Sequence, residues 1–201
     1  MQYTTLGRTK LRVSVAGLGA GGFSRLGLKA GKTEHEAARL VLEAVDLGIN
    51  FIDTAAAYGT ESVIGRALTS LQRDQIVIST KATVRHHGER ATPERLVASI
   101  DNSLRVIGIE HIDVFHLHGV QSDDYGYALK TLAPVLEAEK RKGKIRHIGI
   151  TEAAIADPSA SGWTPCSRGR RSSSFSCVTV PAAWRSSWRG TGRIGSVRNC
   201  T

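Results

Sequence analysis

Residues 50–59 read Asn-Phe-Ile-Asp-Thr-Ala-Ala-Ala-Tyr-Gly, and this stretch decides the fold. Its short apolar run ends at Asp53, and Tyr58 follows five residues later beside a glycine. An apolar run bounded by turn residues is typical of a buried parallel strand. An acid at the C-terminal end of such a strand points to the edge where α/β proteins bind their ligands.

The segments around this strand alternate between helix and strand patterns. Further strands are predicted at residues 15–19, 75–81, 112–118 and 144–150, after a hairpin at residues 4–14. Helices are predicted at residues 34–48, 62–71 and 93–108, and a fourth helix ends at residues 140–143. Pro134 either kinks that fourth helix or lies in its first turn. The alternation predicts an α/β fold with a parallel sheet and about five βα units.

The composition divides the chain at about residue 157. Residues 158–201 hold seven arginines, no lysine and no acid, together with all three cysteines and all three tryptophans. Taking those arginines from the 27 basic residues leaves 20 against 18 acidic residues, so residues 1–157 are nearly neutral. We therefore predict a folded domain at 1–157 and an irregular Arg/Ser/Gly-rich tail at 158–201. Residues 1–157 contain no cysteine and hence no disulfide framework.

Several functional classes are disfavoured by the sequence. No stretch approaches the roughly 20 apolar residues of a membrane-spanning helix, and the N-terminus lacks a basic segment followed by an apolar one. We expect a cytoplasmic protein without a membrane partner. The tail arginines are scattered, so nucleic-acid binding is not predicted. A hypothesis that explains the tail better is a shift of reading frame near Asp157.

Two local patterns resemble known ligand-binding motifs, but the residues around them argue against a ligand site in each case. Residues 17–22 match the G-x-G-x-x-G dinucleotide fingerprint, but residues 23–31 separate the glycines from the next helix, so a tight turn is favoured. His116 and His118 lie on one face of a strand, yet a metal needs further ligands. We expect His116 to be packed or hydrogen-bonded, and residues 85–90 to form a solvated loop.

Four side chains lie at, or just beyond, the predicted C-terminal ends of successive strands: Asp53, Tyr58, Lys81 and His118. In a βα barrel these positions converge on one mouth. A free tyrosine has a pKa near 10, and a neighbouring lysine cation lowers that pKa because it favours the phenolate. Asp53 would hold the lysine charged, and His118 could orient a carbonyl oxygen. This chemistry suits a proton donor in carbonyl reduction.

Four motifs make the chain resemble the aldo/keto reductase family. They lie at residues 50–62, 78–81, 112–118 and 143–150. The resemblance covers roughly residues 1–157 and implies a (β/α)8 TIM-type barrel with an N-terminal hairpin. It also implies NADPH (NADP+) as cofactor and a small aldehyde or ketone as the substrate that is reduced to an alcohol.

The resemblance also implies roles for individual residues. The family's tyrosine is the general acid, its lysine and aspartate tune that tyrosine, and its histidine positions the substrate carbonyl. These four positions are Tyr58, Lys81, Asp53 and His118. The residues implied near the nicotinamide are Gly19, Ala20, Asp53 and Thr151. No metal is implied.

The sequence departs from the family pattern after residue 157. A full barrel has eight strands and about 250 residues, whereas five strands are predicted here. In the family, the later strands and loops carry the aromatic that stacks on nicotinamide and the basic residues for the 2′-phosphate. The alternative expectation is therefore a non-catalytic fragment or binding protein of the same family that lacks a complete cofactor site.

Overall fold

The computed structural model describes residues 1–152. Its elements follow in chain order: β1 (Tyr3–Thr5), β2 (Arg12–Ser14), β3 (Leu18–Gly19), α1 (Glu34–Asp46), β4 (Phe51–Asp53), α2 (Glu61–Leu68), β5 (Val77–Thr83), β6 (Arg85–His86), β7 (Glu89–Arg90), α3 (Pro93–Ile107), β8 (Ile112–Val120), α4 (Tyr125–Tyr127), α5 (Ala133–Arg141) and β9 (Ile145–Glu152). The predicted domain boundary at residue 157, the irregular tail and the frame-shift hypothesis lie outside the described residues and stay predictions.

A parallel sheet of five strands organises the described part of the chain. Its order is β3-β4-β5-β8-β9, so its five strands lie side by side in the order in which they occur along the chain. The strands β1 and β2 form a separate antiparallel hairpin before it. This is an incomplete TIM-type barrel, and it confirms the prediction of a hairpin followed by about five βα units. No helix among residues 1–152 is long and apolar enough to cross a membrane.

The two faces of the sheet differ in chemistry. One face packs against the helices through two apolar clusters, the first around Ile52, Ile64 and Ile78 and the second around Phe115 and Leu136. Side chains alternate between the faces along each strand. The residues on the other face near the carboxyl ends are instead polar, so this face supplies the side chains of the candidate site.

Local sequence signals explain how the helices begin and end. Thr33 and Glu36 form the predicted capping box at the start of α1. Thr92 caps α3, and Gly108 ends that helix with a φ of +75°, a conformation that favours glycine. Pro134 lies in the first turn of α5. A π-helical turn at Ala128–Leu132 joins α5 to α4.

Residues 85–90 differ from the predicted solvated loop. They form the small β6–β7 hairpin, although His86 and His87 at its tip are exposed. Its two arginines both donate to the fully buried carboxylate of Asp124, Arg85 at 2.7 Å and Arg90 at 2.9 Å. The predicted exposure is confirmed at residues 86–90, but the predicted loop is wrong, because the partner Asp124 lies more than 30 residues away in the sequence. Element ends shifted elsewhere too: the strand expected at residues 15–19 spans only Leu18–Gly19.

Candidate active site

The loop between β4 and α2 carries Tyr58 to the carboxyl edge of the sheet. A turn of 3₁₀ helix at Ala56–Tyr58 follows the strand, and Gly59 ends it with a φ of +68°. Two buried hydroxyls, those of Thr54 and Thr60, lie 2.8 Å apart and close the loop. The N–H of Thr54 also donates to the carbonyl of Ser79 on β5. The loop is therefore held at both ends, which fixes the position of the tyrosine.

Lys81 and Asp53 form the charged centre of the site. The lysine side chain has no exposed surface, and its Nζ lies 2.6 Å from Asp53 Oδ2 and 2.8 Å from the carbonyl oxygen of Thr54. Burial lowers the pKa of Lys81 from its ordinary value, and the neighbouring Asp53 carboxylate opposes that shift. An ion pair without water around the lysine holds its ammonium group in one place.

Tyr58 and His118 pack beside this ion pair. The Lys81 Nζ lies 5.3 Å from the centre of the tyrosine ring, close enough for the cation to interact with the ring. The rings of Tyr58 and His118 meet edge to face, with centres 5.6 Å apart and planes at 87°. The structure thus brings together all four side chains for which catalytic roles were predicted.

His118 is held in its neutral form by its surroundings. Burial lowers the pKa of His118, and the Lys81 cation lowers it further. Its Nδ1 is buried without a hydrogen-bond partner among residues 1–152. A neutral imidazole carries one hydrogen, and the nitrogen without an acceptor is the poorer place for it. The hydrogen therefore belongs on Nε2, which makes that nitrogen a donor.

The residues predicted near a nicotinamide lie at the same edge of the sheet. Gly19 is exposed opposite Asp53 in the register, and a Cβ added to it would meet nothing within 4 Å. Ala20 is buried, and its N–H donates to the Asp53 carbonyl oxygen at 2.8 Å. The hydroxyl of Thr151 accepts from the N–H of Gly119 and keeps its own hydrogen to donate. Open backbone beside hydrogen-bonding groups fits a planar ring carrying an amide.

Three contacts in the site were missed at the sequence level. Ser79 Oγ donates to Asp53 Oδ1 at 2.8 Å, and His116 Nε2 lies 3.1 Å from the same Oγ. Gly21 lies against Tyr58, because an added Cβ would come within 2.7 Å of the tyrosine ring. The available signal was spacing, since Ser79 lies two residues before Lys81 and therefore shares its face of the sheet. The expectation that His116 is packed or hydrogen-bonded is confirmed.

Metal binding finds no geometric support in the described part of the chain. Among residues 1–152, no three His, Cys, Asp or Glu side chains converge as a ligand set. His116 and His118 share a face of β8, as predicted. The Nε2 of His116 lies within hydrogen-bond distance of a serine hydroxyl.

Comparisons with curated proteins identify relatives of the chain. L-galactose dehydrogenase of Arabidopsis thaliana is 36% identical over 157 residues, which are 75% of this chain and 48% of that protein. Aldo-keto reductase YhdN of Bacillus subtilis is 30% identical over 166 residues, or 77% of this chain and 48% of that protein. The chain spans about half the length of the curated relatives it matches.

Solved structures and a family model agree with these relatives. Aldo-keto reductase AKR11C1 from Bacillus halodurans, in its holo form, superposes with a TM-score of 0.64 at 30% identity and covers 76% of this chain and 50% of that one. The thermostable aldo-keto reductase Tm1743 gives a TM-score of 0.62 at 27% identity, over 75% and 53% of the two chains. The family model for aldo/keto reductases matches residues 17–160. This chain belongs to the aldo/keto reductase family.

Proposed function

We propose that the protein is an oxidoreductase that uses NADPH to reduce an aldehyde or ketone to an alcohol, with Tyr58 as the general acid. The observation that carries the proposal is the convergence of four side chains at the carboxyl edge of the sheet: Asp53, Tyr58, Lys81 and His118. Each has an ordinary structural explanation alone. Together they provide a proton donor, a fixed cation and a hydrogen-bond donor for a carbonyl oxygen.

Tyr58 would deliver the proton to the substrate oxygen. Losing that proton leaves a phenolate, and the Lys81 ammonium 5.3 Å from the ring centre stabilises this anion. Because Lys81 is buried, the attraction is weakened little by water. Asp53 keeps the lysine protonated and fixed at 2.6 Å. The role of the ion pair is therefore to make proton donation easier at neutral pH.

His118 would hold the substrate carbonyl beside the phenol. Its Nε2–H can donate to the carbonyl oxygen, and its neutral ring does not add a second cation beside Lys81. The same carbonyl oxygen would accept a hydrogen bond from His118 and a proton from Tyr58. The edge-to-face packing of the two rings keeps these donors at a constant separation.

NADPH, when bound, supplies the hydride that reduces the carbonyl carbon. Gly19 would leave room for the nicotinamide ring, and the hydroxyl of Thr151 would donate to its carboxamide. Asp53 keeps a quarter of its side chain exposed and borders the same space. The resemblance assigns the stacking aromatic and the groups for the 2′-phosphate to the family's later strands and loops, so the preference for NADPH over NADH is part of the proposal.

A second candidate is a non-catalytic member of the family that binds ligands without turning them over. The observation that favours it is length, because the chain spans 48% of each of two curated relatives. In this case, the four side chains at the mouth would be retained without a complete cofactor site. Substrate turnover, as distinct from cofactor binding, separates the two candidates.

The test follows NADPH absorbance with a panel of aldehydes and ketones. The panel includes the reverse reaction, with NADP+ and L-galactose, since one relative is named as an L-galactose dehydrogenase. Cofactor binding is measured in parallel by calorimetry. Consumption of NADPH that requires a carbonyl compound supports the reductase. No turnover across the panel, together with weak or absent binding of NADPH, supports the second candidate instead.

A further inference from the structure

Asp53 has two carboxylate oxygens, and a different side chain donates to each. Oδ2 accepts from Lys81 Nζ at 2.6 Å, whereas Oδ1 accepts from Ser79 Oγ at 2.8 Å. A carboxylate held by one donor can rotate about its terminal bond, but two donors on different oxygens fix its plane. Ser79 is fully buried, so water does not replace its hydroxyl.

The hydroxyl of Ser79 imposes a direction on its second neighbour. A hydroxyl carries one hydrogen, and this hydrogen is given to the Asp53 carboxylate, which can only accept. His116 Nε2 lies 3.1 Å from the same oxygen. The imidazole must therefore donate, and its hydrogen belongs on Nε2. The result is a chain of donors that runs from His116 through Ser79 to Asp53.

The His116 ring itself is locked by the neighbouring strand. It is 1% exposed, and a Cβ added to Gly149, its partner in the register on β9, would lie 2.3 Å from Nδ1. Only glycine leaves room for the ring there. The Nδ1 has no hydrogen-bond partner among residues 1–152, so a hydrogen on that nitrogen would be unsatisfied. Both neighbours of the ring therefore select the same neutral form.

We propose that Ser79 and His116 are positioning residues that fix the Asp53 carboxylate, and through it the Lys81 ammonium, for proton donation by Tyr58. The proposal rests on the reductase function proposed above and extends its site to two residues that touch no reacting atom. The groups that face His116 are Asp53 from β4, Lys81 from β5 and His118 from its own strand, while on β9 the register partner is uncharged Gly149 and His147 lies two residues before it. Burial lowers the pKa of His116 to about 4, with Lys81 adding to the effect, so the ring stays neutral at working pH.

Three variants of the full chain test the proposal by kinetics. Ser79→Ala removes one oxygen, His116→Leu removes the donor at similar volume, and His116→Gln keeps a donor near the position of Nε2. We expect kcat to fall roughly tenfold in the first two variants and to stay within about threefold of wild type in the third, because the chain of donors that ends at the Asp53 carboxylate is broken only in the first two.

The pH profile separates positioning from loss of folded protein. Asp53 raises the pKa of Lys81 against the effect of burial. A carboxylate that is free to rotate opposes burial less, so the lysine loses its proton at lower pH. The alkaline limb of kcat/KM should therefore move to lower pH in Ser79→Ala and His116→Leu but not in His116→Gln. Identical limbs in wild type and Ser79→Ala would overturn the proposal.

Nitrogen-15 NMR of the full chain gives a reading that needs no turnover. We expect the His116 hydrogen on Nε2 in wild type, no titration of this ring near its ordinary pKa of about 6.5, and a lower Lys81 pKa in Ser79→Ala. A hydrogen on Nδ1, or a ring that titrates near 6.5, contradicts the network. If wild type shows no NADPH-dependent turnover, the proposed function fails, and the Lys81 titration alone then decides whether Ser79 holds the ion pair.

Discussion

The position of the Tyr58 ring depends on Gly21, a residue that has no side chain. An ideal Cβ at Gly21 would lie 2.7 Å from Cε2 and 2.9 Å from Cζ of the tyrosine ring, so an added methyl group must displace the phenol. We predict that Gly21→Ala lowers kcat/KM about 10- to 100-fold, since displacements of about 1 Å at a reacting group have effects of this size. Steady-state kinetics with NADPH and the best aldehyde measure the loss.

Gly126→Ala is the matched control for this substitution. Gly126 lies in α4, and a Cβ added there would meet nothing within 4 Å. This variant should keep wild-type kinetics. A Gly21→Ala protein with wild-type kcat/KM would mean that the phenol does not have to occupy its observed position.

His116 also makes the fold sensitive to acid. Its pKa is about 4 in the folded protein, because the ring is buried beside Lys81, against about 6.5 when exposed. Between these values the unfolded chain binds more protons, so stability falls as the pH falls. We predict that wild type loses on the order of 3 kcal/mol more unfolding free energy than His116→Gln between pH 6.5 and pH 4.

Urea unfolding at several pH values checks this prediction. His111, His118 and His147 also have pKa values lowered by burial, but they titrate in both proteins and cancel in the difference. Parallel loss of stability in the two proteins would contradict a neutral, buried His116.

At the scale of elements, Asp113 ties three strands together at the end of the sheet opposite the mouth. This buried residue of β8 accepts from the backbone N–H of Ile78 on β5 at 2.9 Å. It also accepts from Arg73 at 2.7 Å and from Arg146 on β9 at 3.0 Å. Polar clusters at this end of a barrel serve stability rather than catalysis.

We predict that Asp113→Asn lowers the unfolding free energy by about 2–3 kcal/mol, because a buried acceptor of several charged donors loses its charge. Activity per folded molecule should not change. Asp101→Asn is the control: its ion pair with Lys144 is half exposed, and its loss should cost less than about 1 kcal/mol. Urea titrations compare the two, and equal midpoints for both variants would contradict the role given to Asp113.

The elements also differ in how far the sequence predicts them. The apolar run that ends at Asp53 and the capping box of Thr33 and Glu36 are local signals, and both elements form as predicted. The β6–β7 hairpin depends on Asp124, whose partners lie 34 and 39 residues away. A window of neighbouring residues carries no information about such a pairing. The same reason explains why strand ends shifted.

For the candidate site, the sequence predicts side chains but not the bonds between them. Spacing along the strands placed Asp53, Lys81 and His118 at one edge, and the structure has them there. The link from Ser79 to His116 joins residues 37 positions apart, and the contact of Gly21 with Tyr58 depends on the fold of a loop. The first contact depends on the register of β5 against β8. The second depends on the path of the chain after β3 and after β4.

At the scale of the whole molecule, family membership and activity rest on different observations. Membership follows from a match over residues 17–160 and from relatives of which this chain spans about half. Within residues 1–152, β3 and β9 are the edge strands of the parallel sheet, whereas a closed barrel has no edges. The four side chains of the candidate site lie on the strands between these two edges or in the loop after β4. Whether they suffice for activity is a separate question from family membership, so turnover has to be measured on this chain itself.

The most direct measurement compares NADPH oxidation by wild type, Tyr58→Phe and Tyr3→Phe with a saturating aldehyde. Tyr3→Phe removes the same hydroxyl from an exposed ring, where the hydroxyl donates to the carbonyl of Gly48, so it controls for the chemical change. We predict turnover by wild type and Tyr3→Phe, and a loss in kcat of at least about 100-fold in Tyr58→Phe at unchanged NADPH affinity. Wild-type kcat in Tyr58→Phe, or no turnover by wild type that binds NADPH, would contradict Tyr58 as the general acid of a working reductase.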